Sequence, residues 1–123
     1  MILVDTSVWI EHIRSANTLL LSRLHDEAVL AHPFVIGEVA LGHVRSREAV
    51  LRELRDLPAA PVASPDEVVD LIERHRLFGI GIGYVDTHLL ASAKLMGGVP
   101  LWTYDAHLRV AAQKIGLPTG PLR

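Results

Sequence analysis

An α/β fold, a central parallel β-sheet flanked by α-helices, is what this sequence predicts, and three observations carry the prediction. Short apolar runs at Ile2–Val4, around Ala28–Ala31 and at Val99–Thr103 have the length and composition of buried strands. Longer segments between them repeat their apolar residues at helical spacing. The alternation of the two requires crossover connections, which make the strands parallel and cover both sheet faces with helices.

Ile2–Val4 leads through Asp5 into a helix with Thr6, Trp9, Ile10 and Ile13 at helical spacing. Asn17 caps a second helix carrying Leu20, Leu21 and Leu24, and Ala28–Ala31 follows as a short apolar link or strand. Pro33 suits a helix's first turn, and that helix is expected to run to about His43. A further amphipathic helix places Val50, Leu51, Leu54 and Leu57 on one face, with Arg45, Arg47, Arg52 and Arg55 along the region. Pro58 to Val62 reads as a linker leading into another short strand. Ser64, Pro65 and Glu67 combine an N-cap, a proline at the first helical position and a capping-box glutamate, which predicts a helix to Leu77. Gly79, Gly81 and Gly83 form a turn before a helix from about Val85 to Met96, which Gly97 and Gly98 stop. A strand over Val99–Thr103 and a helix from Asp105 to Ile115 complete the chain, apart from a proline-rich tail.

With 123 residues and no compositional break, residues 1–123 are expected to form a single domain. Half of the residues are hydrophobic, more than one small domain readily buries, which predicts a homodimer or partner interface. The absence of cysteine removes disulfides and thiolate metal sites, and points to a reducing cytoplasm. No apolar run approaches a membrane span, and the N-terminus, interrupted at Asp5, lacks the basic region of a signal peptide. A net charge of −2 gives no global footprint for nucleic acid, so any such contact has to be local or metal-assisted.

Four carboxylates need an explanation. Asp5 and Asp105 each follow a predicted strand, and ligands of parallel sheets bind beyond the carboxyl ends of the strands. Glu38 lies between Phe34, Val35, Leu41 and Gly42 on its helical wheel, in the apolar arc, and is expected to point inward. Asp86 shares its face with Leu89, Leu90 and Ala93. A buried carboxylate needs a cation, a proton or several donors, and four acids at strand ends and in helices suit one divalent ion. Magnesium prefers such oxygens and keeps positions open for phosphate and water. Bland alternatives exist for each acid. Asp5, Asp105 or Asp86 (with its helix then starting at Thr87) is also a candidate N-cap, and Glu38 a candidate partner for Arg45. His88 and His107 stand two residues after an aspartate, which on a helix points them away from it, so they read as packed or surface residues. The glycine loop lacks the spacing of a phosphate loop. The arginines from Arg45 to Arg55 are either a solvated helix face or an RNA-facing patch.

Four stretches then match a known pattern: Leu3-Val4-Asp5-Thr6-Ser7-Val8-Trp9-Ile10, Val35-Ile36-Gly37-Glu38-Val39-Ala40-Leu41-Gly42, Val85-Asp86-Thr87-His88-Leu89-Leu90-Ala91-Ser92-Ala93 and Leu101-Trp102-Thr103-Tyr104-Asp105-Ala106-His107-Leu108. In order and spacing they resemble the PIN domain of the VapC toxin group, over essentially the full chain. The resemblance implies a PIN-like fold, with metal-binding acids at Asp5, Glu38, Asp86 and Asp105 and hydroxyl positions at Thr6 and Thr103. It also implies a homodimer, dependence on Mg2+ or Mn2+, cleavage of RNA to 3'-hydroxyl and 5'-phosphate ends, and a cognate antitoxin that blocks the site. Thr103 would then hold a water of the ion by hydrogen bonding. Two rivals remain: an aspartate-based phosphatase using Asp5 as nucleophile, which lacks the second aspartate at Ser7, and a non-catalytic RNA-binding or scaffold module.

Overall fold

The computed structural model describes residues 1–122. Three strands, β1 (Ile2–Val4), β2 (Val29–Leu30) and β3 (Leu101–Trp102), pair in the order β2-β1-β3, and both pairings are parallel. Ile2 and Leu3 stand opposite Val29 and Leu30, while Leu3 and Val4 stand opposite Leu101 and Trp102. Successive residues of a strand point to opposite faces, and Leu3 and Val4 are both fully buried. Both faces of the central strand are therefore covered, as a parallel sheet requires.

The helices among the described residues are α1 (Thr6–Arg14), α2 (Thr18–His25), α3 (Pro33–Leu41), α4 (Arg47–Asp56), α5 (Pro65–His75), α6 (Tyr84–Leu95) and α7 (Ala106–Lys114). Their starts follow local signals. Asn17 accepts the Leu20 N–H at 3.0 Å, and Pro33 opens α3 behind an N-cap at His32. Ser64 and Glu67 close a complete capping box, the Ser64 hydroxyl accepting the Glu67 N–H and the Glu67 carboxylate accepting the Ser64 N–H. Gly97 and Gly98, both with positive φ, end the α6 segment, and the Gly98 N–H reaches back to Ala93 O. Leu3, Val8, Leu20, Val35, Leu89, Leu90, Leu101, Trp102 and Leu108 bring sheet and helices into one core cluster.

Three expectations are corrected at element ends. The strand expected after Pro58–Val62 reduces to a single parallel bridge between Ala31 and Ala59, because Pro58 and Pro61 have no N–H to extend a ladder. Strand β3 spans only two residues of the expected five, with Pro100 at its start accepting from Leu3 N–H. Helix α5 stops at His75, since Arg76 adopts a left-handed conformation and turns buried Leu77 back to bond Ile72 O. No helix among the described residues is long and apolar enough to cross a membrane.

Candidate active site

The carboxyl ends of β1 and β3 lie side by side, and the last bond between them, from Asp5 N–H to Trp102 O at 2.9 Å, fixes the backbone of Asp5. Asp5 occupies the N-cap position of α1 but makes no side-chain cap bond. Its carboxylate, in a residue only 4% exposed, instead takes two hydroxyl donors on one oxygen: Ser7 Oγ and Thr103 Oγ1 each donate to Oδ2 at 2.7 Å. Short O–H···O− bonds of this kind offset the loss of hydration. No described group donates to the other oxygen, Oδ1.

Thr103 is fully buried, and its hydroxyl also accepts the Asp105 N–H at 3.0 Å, which ties the end of β3 to the start of α7. Asp105 is the N-cap of α7, its Oδ1 accepting the Leu108 N–H at 3.0 Å. The capping reading therefore holds for Asp105, and it occupies one oxygen only. Ser7 is the residue that the sequence reading missed. It donates to Asp5, accepts the Tyr104 N–H at 3.0 Å, and so joins the first turn of α1 to the β3–α7 connection. The available signal was its place two residues after an N-cap aspartate, where a hydroxyl in the first turn reaches back to the cap.

Glu38 corrects an expectation: it is exposed rather than directed inward. Helix α3 is apolar almost all round, so the wheel marked no single buried face. Val35 and Val39 turn to the core, and Leu41 is 89% exposed. Glu38 lies at the rim, where Thr6 Oγ1 donates to its Oε1 at 2.7 Å. That contact sets its charge at the N-terminus of α1, where the helix dipole favours an anion. Its expected alternative partner, Arg45, is not bonded to it. Arg47 donates from Nε and Nη2 to Ala40 O at 3.0 and 2.8 Å and closes the C-terminal end of α3, so its guanidinium serves the fold.

Asp86 is the third residue of α6, whose N-cap is Gly83, so it is not the cap of a helix starting at Thr87. Burial pushes its carboxyl up to about 6 from the usual value. The charges of Asp5 and Asp105 reinforce the shift, Glu38 adds to it, and a backbone hydrogen bond at Gly83 opposes it. All four predicted acids thus act on one another electrostatically, although they come from positions 5, 38, 86 and 105. Among the described residues no three acidic or histidine side chains are gathered into a closed ligand set. The cluster is an open acidic cleft whose like charges stand apart. Its donors are carboxylate oxygens, the ligand type that suits Mg2+ or Mn2+, so the donor chemistry fits such an ion.

The histidines stay outside the cluster. His88 is 3% exposed, packs edge-on between Phe34 and Tyr84, and leaves Nδ1 without a partner among the described residues. Burial lowers its pKa. His107 is exposed and lies over Gly81, whose Cβ-less backbone with φ +71 to +87 around the turn admits the ring.

Comparison with known proteins agrees with this arrangement. The family model described as "PIN domain" matches residues 2–114. Over 117 residues the chain is 49% identical to the protein named Ribonuclease VapC32 in two Mycobacterium tuberculosis strains, covering 95% of this chain and 94% of each relative. In fold it is similar to the solved structure of FitAB bound to an IR36 DNA fragment, with TM-score 0.66, 20% identity and coverage of 98% of this chain and 94% of that one. It is likewise similar to FitAcB from Neisseria gonorrhoeae, with TM-score 0.65, 22% identity and coverage of 98% and 97%. With a family match across nearly its whole length and a ribonuclease relative at this identity, the chain belongs to the PIN-domain family, in its VapC ribonuclease group.

Proposed function

We propose that this chain is an endoribonuclease dependent on Mg2+ or Mn2+, acting as the toxin of a type II toxin-antitoxin pair in the cytoplasm. The observation that carries the reading is the convergence of Asp5, Glu38, Asp86 and Asp105 at the carboxyl edge of the sheet, where Asp86 feels the charge of the other three. The printed name of the VapC32 relative supports RNA as the substrate.

Asp5, Glu38, Asp86 and Asp105 would hold the ion, which when bound supplies positive charge for the phosphoryl oxygens and lowers the pKa of an attacking water. The chain's own contribution is placement. Ser7 and Thr103 lock Asp5 through Oδ2, Thr6 locks Glu38 through Oε1, and the Leu108 N–H locks Asp105 through Oδ1. Each of the three acids is thereby held by one oxygen, and its second oxygen faces no described donor. Asp86, with a carboxyl near 6, gives up its proton on binding a cation, so affinity should rise between about pH 5 and pH 7. The experiment is incubation of the purified chain with RNA and end-group analysis of the fragments. Fragments with 3'-hydroxyl and 5'-phosphate ends are expected, whereas 2',3'-cyclic phosphate ends would point to metal-independent transesterification.

Two further expectations follow from the same geometry. Ser7→Ala removes one of two donors to Asp5 and should lower cleavage by roughly 10–100-fold, the usual range for a residue that orients a metal ligand. Ser7→Thr, which keeps the hydroxyl, should recover most of it. A Ser7→Ala protein with parental activity would show that Thr103 alone positions Asp5. The second concerns assembly. Leu41, Phe78 and Val110 are all at least 60% exposed, and a homodimer would cover such apolar surface. Light scattering of the antitoxin-free protein at micromolar concentration should give twice the 13.5 kDa chain mass; a strict monomer would remove the inference. A cognate antitoxin is the second proposed partner.

A further inference from the structure

Binding RNA poses a problem for this surface. The chain carries a net charge of −2, its cleft gathers four acids, and Arg47 is engaged at Ala40 O. Phosphate attraction alone therefore has little to work with, and stacking of bases on aromatic rings is the contribution that needs no charge.

One aromatic side chain stands where such a contact would serve. Tyr84 is the first residue of α6, two before Asp86, and is 52% exposed. Its ring meets the ring of His88 edge-on, with centroids 4.7 Å apart and planes at 89°. His88 meets Phe34 at 4.7 Å and 71°, and Phe34 meets His32 at 5.1 Å and 67°. His32 is fully buried: its Nδ1 accepts the Phe34 N–H at 3.0 Å, which leaves Nε2–H to donate to Ser92 Oγ at 2.9 Å. Tyr84 is thus the solvent end of a four-ring ladder whose buried end is hydrogen-bonded in place.

The same contacts set the level of Tyr84 relative to the acids. His32 pairs with Ser92, and Phe34 pairs with His88 one turn earlier on α6, so α3 and α6 run antiparallel there. One more turn along each helix leads to Glu38 on α3 and Tyr84 on α6. The exposed ring therefore lies on the Glu38 side of the cluster, adjoining the helix turn that carries Asp86. A ring held this firmly loses little freedom when a planar partner covers it.

We propose that Tyr84 is a substrate-binding residue on which the RNA stacks a base next to the phosphate engaged at the acid cluster, an inference that rests on the ribonuclease reading above. The ring supplies a face and no hydrogen bond to a base edge, so the contact tolerates different bases and fixes the position of the strand more than its sequence.

The test uses the full chain and short single-stranded RNA oligonucleotides of mixed sequence. First the bond cut by the parent is mapped, and then abasic substitutions are placed on either side of it. Tyr84→Leu is expected to raise KM by about 5–100-fold, the range of one lost stacking contact, with kcat little changed. Tyr84→Phe keeps the ring and should keep the parental KM. One flanking abasic site should raise KM for the parent and leave that of Tyr84→Leu unaltered, because both changes remove the same contact. The inference is overturned if Tyr84→Leu cleaves with the parental KM. It also fails if the abasic site penalises both proteins equally, or if Tyr84→Leu converts a dimer to a monomer, which would assign the ring to a second copy. A parent that cuts none of the RNAs removes both readings, whereas a cutting parent with an indifferent Tyr84→Leu removes only this one.

Discussion

Asp5→Ala, Glu38→Ala and Asp86→Ala are each expected to reduce RNA cleavage by at least roughly 10²–10³-fold, the scale of losing one group that stabilises charge in the transition state. The three acids reach the cleft by different routes: Asp5 from the end of β1, Glu38 through the Thr6 hydroxyl, and Asp86 from the first turn of α6. None can be replaced by a neighbour. Glu38→Ala is the cleanest of the set, because the residue is exposed and its removal leaves no buried group unpaired. Asp5→Ala, in contrast, strands the Ser7 and Thr103 hydroxyls that now donate to Oδ2, so Asp5→Asn is the better probe of charge alone. Asp105→Ala should show a mixed effect, since it also deletes the α7 cap and costs about 1 kcal/mol of stability. Circular dichroism run beside the cleavage assay separates the two. A well-folded Glu38→Ala protein with parental activity would make the glutamate structural and remove it from the site.

Thermal stability should respond to pH and to cations in a linked way. The folded Asp86 carboxyl is raised from 3.8 to about 6, so the folded state holds a proton that the unfolded chain has released. For an acid shifted upward the contribution is fully present below about pH 4 and is lost as pH rises through about 6. At pH 7 Asp86 therefore destabilises the metal-free protein. Solvent screening of a half-buried group reduces the full linkage energy to about 1–2 kcal/mol. Asp86→Asn in chelator should melt several degrees higher than the parent at pH 7, with the difference closing toward pH 4. Adding Mg2+ or Mn2+ should raise the parental melting temperature and move the variant less. Equal responses of the two proteins to the ion would place the cation elsewhere.

How far the sequence reveals this site depends on the kind of signal each residue gives. Asp5 and Asp105 were legible because an acid after a buried strand is placed by topology. Asp86 was legible because its helix shows a one-sided apolar pattern, with Leu89, Leu90 and Ala93 all buried in the structure. Glu38 was found for a reason that does not hold: in a helix apolar on most sides the wheel has no unique inward face, and only the tertiary placement of Thr6 decides where the side chain goes. Ser7 and the Phe34–His88–Tyr84 contacts were beyond reach, since they depend on which side chains meet across 97 or about 50 residues of chain. His88, read as dispensable, is instead buried between two rings, so His88→Ala should disturb packing before it disturbs chemistry. Strand ends and the short bridge at Ala59 were misplaced where prolines cut the ladders.

The most direct test of the central claim, that the four acids hold a divalent ion that cleaves RNA, is one cleavage assay. The purified antitoxin-free chain is incubated with single-stranded RNA in Mg2+ or Mn2+, then in excess chelator, and then with the ion restored. The account predicts cutting, loss of cutting and recovery in that order, with Asp5→Asn inactive throughout. Undiminished cleavage in chelator, or cleavage by Asp5→Asn at the parental rate, would contradict it.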